Sequence, residues 1–309
     1  MDRTRECLLL LMRPYEGAPR APGSYPFGRA MQALADEGLR VVVGHEVQDG
    51  RATGWALQKD AWVRVEGVPI AAVHDRLAGE PWAALRTRLL AEIPAGVPVA
   101  NPEAVRAICR DKLATHRFLE AAGVPLPAIT TDPAVHADWG AGYLKRRLGS
   151  KGEGVWRVGP GDDLGAGDFV QKAIDPEPGE ARVALRLLAQ RLPDRTWRLN
   201  PAVARIAAAG ADVVNVHSGA RAARAAAVCD VGELNALAAR TTAAFTDPHA
   251  VELGLDFVLD AERRPWLIEV NSVPRGRLGA LAKLDPDAFD QAHVDACARP
   301  LRTLAAWAG

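Results

Sequence analysis

The sequence predicts a mixed α/β (α+β) chain of two or three domains. Three observations carry this reading. Strand and helix patterns alternate near the N-terminus, short strands flank glycines in the middle, and two strand-like runs joined by a charged loop lie near the C-terminus. A chain of 309 residues is long enough for two or three separate cores. The expected division is 1–98, an N-terminal α/β unit; 99–170, a central unit with a glycine-rich loop; and 171–309, a C-terminal unit with the charged hairpin.

In chain order, residues 8–12 read as a buried strand, followed by a Pro/Gly-rich loop over 14–26. Phe27, Ala30, Met31, Leu34 and Ala35 form a helical stripe over 27–37 that stops at Gly38. Residues 39–43 make a second strand and complete a strand–helix–strand unit. Segments 62–65 and 69–73 add strands, and 81–93 another helix. His74, Asp75 and Arg76 follow a strand end, as a ligand contact or as an ordinary polar loop. Asn101-Pro102-Glu103 reads as a helix start, with Asn as cap, Pro in the first turn and an acid near the positive helix end. Asp111 caps a second helix over 112–122, which Gly123 and Pro125 stop.

Residues 143–147 and 155–158 are strand-like and flank Leu148-Gly149-Ser150-Lys151-Gly152-Glu153-Gly154. Such a loop lets backbone N–H groups close over phosphate, with Lys151 and Lys145 supplying charge. Flexible hairpins without ligands share the pattern. Neither GxxxxGK[ST] nor GxGxxG is present. Residues 169–174 form a short strand before a Pro/Gly break over 176–179. A long strand over 183–190, further strands over 197–205 and 213–216, and a turn at Gly210-Ala211 continue an antiparallel pattern. Arg182, Arg205 and Asn215 fall on these strands, as salt-bridged scaffolding or facing an anionic substrate. Residues 230–244 are an Ala/Leu helix, and 287–307 a helix with a break at Pro300.

The run LGLDFVLDAERRPWLIEVNSVPRGR at 253–277 is the most informative stretch. Strands over 255–260 and 265–271 flank the four-residue loop 261–264. Folding about the midpoint between Glu262 and Arg263 sets Asp256 opposite Glu269, with Asn271 two residues further along the same face. Phe257, Leu259, Ile268 and Val270 are then expected in a core. Two carboxylates facing across strands repel unless something neutralises them, and three hard oxygen donors suit Mg²⁺. The same pattern also fits an ordinary hairpin whose acids are solvated or paired with Arg263, Arg264 or Arg275.

Basic and acidic residues balance at 38 each, so bulk charge points to neither nucleic acid nor membrane. Cys7, Cys109, Cys229 and Cys297 are scattered, with no CxxC and no histidines at zinc spacing, as expected for reduced thiols in a cytoplasmic protein. The apolar run 7–12 is too short for a signal or membrane segment.

Taken in order, these stations resemble the ATP-grasp superfamily: Asn101-Pro102 with Asp111-Lys112-Leu113, AAGVPLP at 121–127, YLKRRLGSKGEGVWRV at 143–158, FVQKAI at 169–174, Glu180-Ala181-Arg182, and the 253–277 hairpin. VHDR at 73–76, WRLNPAVAR, VVNVHSGA and EVNSVPRGR look most like the spore-coat-associated ATP-grasp branch. The resemblance spans roughly residues 70–285. It implies a Rossmann-like N-terminal domain and two ATP-grasp subdomains holding ATP between them.

By the same resemblance, Lys112 and Lys145 contact ATP phosphates, and Gly149, Ser150, Lys151, Gly152 and Gly154 belong to the loop over them. Gln171, Lys172 and Ile174 lie in the segment meeting the adenine, and Asp256, Glu269 and Asn271 hold Mg²⁺ or Mn²⁺. Arg205 lies near the reacting carboxylate, with Arg182 and Asn215 on the same face. Two departures stand out: Lys145 is followed by Arg146 where the family usually has proline, and Glu180 replaces a usual aspartate.

The implied activity is ATP-dependent carboxylate–amine ligation through an acyl phosphate, releasing ADP and phosphate. Its substrates are small-molecule or peptide carboxylates and amines, and a homodimer is allowed for. The alternatives are an ATP-grasp small-molecule kinase and a non-catalytic nucleotide-binding scaffold.

Overall fold

The computed structural model describes residues 6–12, 17–21, 23, 26–149, 154–160, 162, 168–208, 220–275 and 277–308. The expected strand at 213–216 and turn at Gly210-Ala211 lie outside these residues, as do Ser150, Lys151, Gly152 and Asn215.

Strand β1 (Cys7–Leu11) is followed by helix α1 (Pro26–Asp36), strands β2 (Val41–Gln48), β3 (Arg51–Gln58) and β4 (Ala61–Asp75), helix α2 (Ala83–Ala91) and the short strand β5 (Val99–Ala100). β1 pairs in parallel with both β2 and β4. A central parallel strand is covered on both faces, which explains an unbroken CLLLL with every residue buried. Leu8 and Leu10 join α1 in one core, while Cys7, Leu9 and Leu11 join the α2 side in another. The expected strands at 62–65 and 69–73 are one continuous β4. Its first half pairs with β3 and its second half with β1, the change falling around Pro69 and Ile70.

Helices α3 (Glu103–Arg110) and α4 (Lys112–Ala121) lead to a four-stranded antiparallel sheet in the order β6-β9-β7-β8. It comprises β6 (Ile129–Thr130), β7 (Gly142–Arg146), β8 (Val155–Val158) and β9 (Asp168–Lys172), with the short helix α5 (Pro133–Ala137) between β6 and β7. Asp111 caps α4 as expected, accepting from the N–H groups of Leu113 and Ala114. Asn101 does not cap α3; that position belongs to Pro102. Instead the buried Asn101 amide donates to the carbonyls of Glu252 and Ser272, both at 2.6 Å, and its oxygen accepts from the Val251 N–H at 2.6 Å. Paired backbone groups distant in sequence outcompete a local cap here, because burial makes any unmet backbone group costly.

The third sheet runs β13-β12-β10-β14-β15, with β11 also on β10. Its strands are β10 (Val183–Arg191), β11 (Trp197–Leu199), β12 (Val203–Ile206), β13 (Arg221–Arg224), β14 (Glu252–Leu259) and β15 (Pro265–Asn271), and helix α6 (Val231–Ala244) packs on it. The single strand expected over 197–205 is two, β11 and β12, because Asn200-Pro201 breaks the ladder. Both lie along the same edge of β10.

Helices α7 (Gly279–Leu284) and α8 (Pro286–Trp307) close the chain. α8 carries Val294, Cys297, Ala298, Leu301 and Leu304 back onto the α1 face of the first sheet. Its expected break at Pro300 does not occur. A proline cannot donate to the carbonyl four residues earlier, which here is that of Ala296. That carbonyl accepts instead from Gln190 Nε2 at 2.8 Å and Arg277 Nε at 3.1 Å, so the helix continues. All four cysteines are free thiols. Among the described residues, no helix is long and apolar enough to cross a membrane.

Candidate nucleotide and metal site

The hairpin β14–β15 pairs Asp256 with Glu269, as the sequence predicts, but by a different route. Near the turn, Leu259 faces Pro265 and Phe257 faces Leu267; a bulge then inserts Ile268 and shifts the register by one. Asp260 joins the turn, its carboxylate accepting from the Arg264 N–H and guanidinium and from Trp266 Nε1. The bulge corrects one expectation. Ile268 is not a core residue; Leu267, 1% exposed, takes that place with Phe257, Leu259 and Val270. Ile268 instead lines the cleft beside the hairpin.

Asp256 is not paired with Arg263, Arg264 or Arg275. Arg263 bonds Glu180, and Arg264 bonds Asp260 and Glu262. The partner of Asp256 is Arg186, directly opposite on β10, whose Nε and Nη2 reach the two carboxylate oxygens. Asn271 Nδ2 donates to Asp256 Oδ2 at 2.9 Å. Burial and the Asp256 charge push the Glu269 carboxyl above its usual range, with Lys112 and Lys145 pulling the other way.

Lys112 and Lys145 arrive from the other side. The Arg147 carbonyl accepts the Lys112 N–H at 2.9 Å, and Asp111 holds the Arg147 guanidinium, so the start of α4 is tied to the root of the glycine-rich loop. Lys112 Nζ donates to the Gly149 carbonyl at 2.9 Å. Gly149 and Gly154, the described ends of the loop, both have φ in the left-handed range, 144° and 77°. A Cβ on Gly154 would also meet Arg146 Cδ at 3.0 Å, so the turn needs glycine on both counts. Lys145 is buried on β7 and bonds Gln171 Oε1 of β9. Desolvation lowers its pKa to about 8, although Glu269 and Asp256 oppose the shift.

Between the second and third sheets lies an open cleft with a cavity volume of about 130 Å³. Val155, Ile174, Val183, Ala184, Val258 and Ile268 give it apolar walls, and Lys145, Gln171, Lys172 and Arg182 stand around them. Its mixed lining suits a flat heteroaromatic ring with a polar edge. A much smaller cavity of about 20 Å³ lies against Lys112, Gln171, Ile268 and Glu269 and also takes in His116.

Arg205 faces Ala184 on β10 and so stands diagonally from Arg186 on the same side of the sheet. Its Nε is buried without a hydrogen-bond partner among the described residues, and burial and Arg186 lower its pKa. Arg182 is placed elsewhere: it bonds Asp175 at 2.7 Å and stacks on Tyr143 at the cleft wall. The donor set of Asp256, Glu269 and Asn271 fits a hard divalent cation, since a cation would offset the burial and the Asp256 charge that raise the Glu269 pKa. Two carboxylates and one carboxamide would leave part of such a cation's coordination to other oxygen donors.

Two parts of the site were not singled out from the sequence. Arg186 is one. The other is Glu252, at the start of β14, which gathers His74 and Arg76 of the expected polar trio into a buried knot. His74 Nε2 donates to Glu252 at 3.2 Å, Arg277 Nη2 at 2.9 Å, and Arg76 Nη1 also bonds it. Burial keeps His74 neutral, so its contact is a hydrogen bond rather than an ion pair. Arg76 Nη2 also donates to the Pro274 carbonyl at 2.8 Å, just past the candidate ligand Asn271.

Residues 164–287 match the family described as YheC/D like ATP-grasp. A sequence search of curated proteins found no match. Among solved structures, D-alanyl-alanine synthetase A from Vibrio cholerae O1 biovar eltor str. N16961 aligns over 97% of this chain and 99% of its own, with a TM-score of 0.59 at 17% identity. The RiPP-associated ATP-grasp ligase of Chryseobacterium gregarium, in complex with ADP and a leader and core peptide, aligns over 94% and 96%, with a TM-score of 0.57 at 12% identity. The ATP-grasp ligase PsnB, complexed with a phosphomimetic variant of its minimal precursor, Mg and ADP, aligns over 96% and 99%, with a TM-score of 0.56 at 17% identity. The chain has the ATP-grasp fold, and its match to the ATP-grasp family model is confined to residues 164–287.

Proposed function

We propose that the protein is an ATP-dependent carboxylate–amine ligase that activates a carboxylate as an acyl phosphate and passes the acyl group to an amine. The observation that carries this reading is one sheet face with opposed Asp256 and Glu269, flanked by Lys112, Lys145, Arg186 and Arg205. Cations outnumber acids there, which suits a triphosphate and a carboxylate, both anionic, brought into line. The synthetase and ligase names of the structural neighbours support the reaction class; two of them support a peptide as substrate and the third a small molecule.

In this reading Asp256, Glu269 and Asn271 hold Mg²⁺ or Mn²⁺, which when bound offsets phosphate charge. Lys145 rests with its pKa lowered to about 8 and recovers full charge as phosphate arrives. Lys112 and the glycine-rich loop close over the phosphates, while Gln171, Lys172 and Ile174 meet the base. Arg205, whose Nε has no hydrogen-bond partner among the described residues, neutralises the substrate carboxylate. Arg182 shapes the cleft wall beside the base. No side-chain nucleophile is required. A cytoplasmic location suits the need for ATP, and the VHDR and EVNSVPRGR motifs support the spore-coat-associated branch.

The test is turnover of ATP with Mg²⁺ and a panel of carboxylic acids and peptides, with hydroxylamine in place of the natural amine. The expected products are a hydroxamate of one acid, ADP and phosphate. A stable phosphorylated product would mark a kinase, no turnover with tight ATP binding a scaffold, and stoichiometric AMP an adenylating enzyme.

A further inference from the structure

Arg186 has a geometry that the proposed ligase activity does not by itself require. Its Nε and Nη2 engage both oxygens of Asp256, the first metal-ligand candidate. The pair is mostly enclosed, with side-chain exposures of 18% and 14%. The fold makes room for it. A Cβ on Gly254, the residue opposite Asn271, would fall 3.2 Å from Arg186 Nη1 and 2.9 Å from Pro274 Cβ. Gly254 therefore provides the bed over which the guanidinium lies, within reach of Asp256 and beside Asn271.

A divalent cation and this guanidinium both require the oxygens of Asp256. A cation entering the site without nucleotide must displace Arg186 from an enclosed ion pair and leave it without an anion. It also enters a face already carrying Arg205, Lys145 and Lys112. Phosphate changes both terms. It offers the displaced guanidinium new oxygens, and it reverses the local charge that opposes the cation.

Resting on the assignment of Asp256, Glu269 and Asn271 as the metal ligands, we propose that Arg186 is a built-in counter-cation that couples metal binding to nucleotide binding. Alone, the protein takes up divalent metal weakly; with nucleotide present, Arg186 moves to phosphate and releases Asp256. The coupling falls within the roughly 5–150-fold range usual between linked sites.

The experiment titrates full-length protein with Mn²⁺, reading free Mn²⁺ by electron paramagnetic resonance, with and without saturating ADP. Wild type is expected to bind Mn²⁺ about ten-fold or more tighter with ADP than without. Arg186→Met keeps the aliphatic stem but removes the charge. It should bind Mn²⁺ about ten-fold tighter than wild type in the absence of nucleotide, with a much smaller gain from ADP. Where Arg186→Met melts too low to titrate, Arg186→Lys replaces it. One ammonium cannot hold both oxygens, so a gain of a few-fold is expected. Unchanged Mn²⁺ affinity in a folded Arg186 variant overturns the proposal. Glu269→Ala separates this from failure of the metal assignment. If Mn²⁺ binding survives Glu269→Ala, the assignment itself falls and the Arg186 role with it. If binding depends on Glu269 but not on Arg186, only the counter-cation role falls.

Discussion

Glu269→Ala is expected to leave a folded protein that has lost ATP turnover by about a hundred-fold or more, the scale seen when one electrostatic stabiliser is removed from an active site. The two effects separate because the native site is arranged for a ligand rather than for stability. Burial and Asp256 both push the Glu269 carboxyl up. Deleting it removes a like-charge conflict, so thermal stability should hold or rise slightly. ADP release and a melting curve on the same preparation decide the matter. Near-normal turnover with Mg²⁺ would show that Glu269 is a hairpin residue and nothing more.

Glu252→Ala is expected to have the opposite character, costing about 3–5 kcal/mol of stability because it leaves the Arg76 and Arg277 guanidiniums buried without their anion. Burial alone would raise the Glu252 pKa, but Arg277 and Arg76 with His74 outweigh it and hold the carboxyl far below its usual range. The sign follows. A depressed carboxyl stabilises the fold above its unfolded value, near 4.5, and that contribution is lost as pH falls below it. His74 adds an earlier loss. Burial lowers its pKa from 6.5, so the unfolded chain gains the proton first and stability begins to fall below about pH 6.5. Urea unfolding between about pH 7 and pH 3.5 should show wild type losing more stability than Glu252→Gln, which has no carboxyl to titrate. Equal losses in the two proteins would mean that the knot does not carry the junction between the first sheet and the hairpin.

The parts of the site legible in the sequence were those fixed by local rules. Strand alternation sets Asp256 against Glu269, and an aspartate before an apolar helical stripe caps that helix, as Asp111 does. Glycines at the ends of a loop take positive φ, as Gly149 and Gly154 do. The parts that were not legible depend on distant partners. Asn101 looks like a cap, but its amide is engaged with residues some 150 positions away. Pro300 looks like a helix break, yet Gln190 and Arg277 satisfy the carbonyl it strands. Arg186 carries no motif, and only the β10–β14 register sets it opposite Asp256. The Ile268 bulge escaped for a related reason. A symmetric four-residue loop gives the observed pairing at Asp256, and two compensating differences, a longer turn and one extra residue, cannot be told from none.

The central claim is that a substrate carboxylate becomes an acyl phosphate on the Asp256–Glu269 face. The most direct measurement uses the acid identified by hydroxamate trapping, labelled with ¹⁸O in its carboxylate. A carboxylate oxygen attacks the γ-phosphorus of ATP and the bond to ADP breaks. The amine then attacks the acyl carbon, and the phosphate leaves with one of the labelled oxygens. The account predicts one ¹⁸O atom in each inorganic phosphate released, read by ³¹P resonance or mass spectrometry, and its disappearance in Glu269→Ala. Phosphate free of label, or label recovered in AMP, would contradict it.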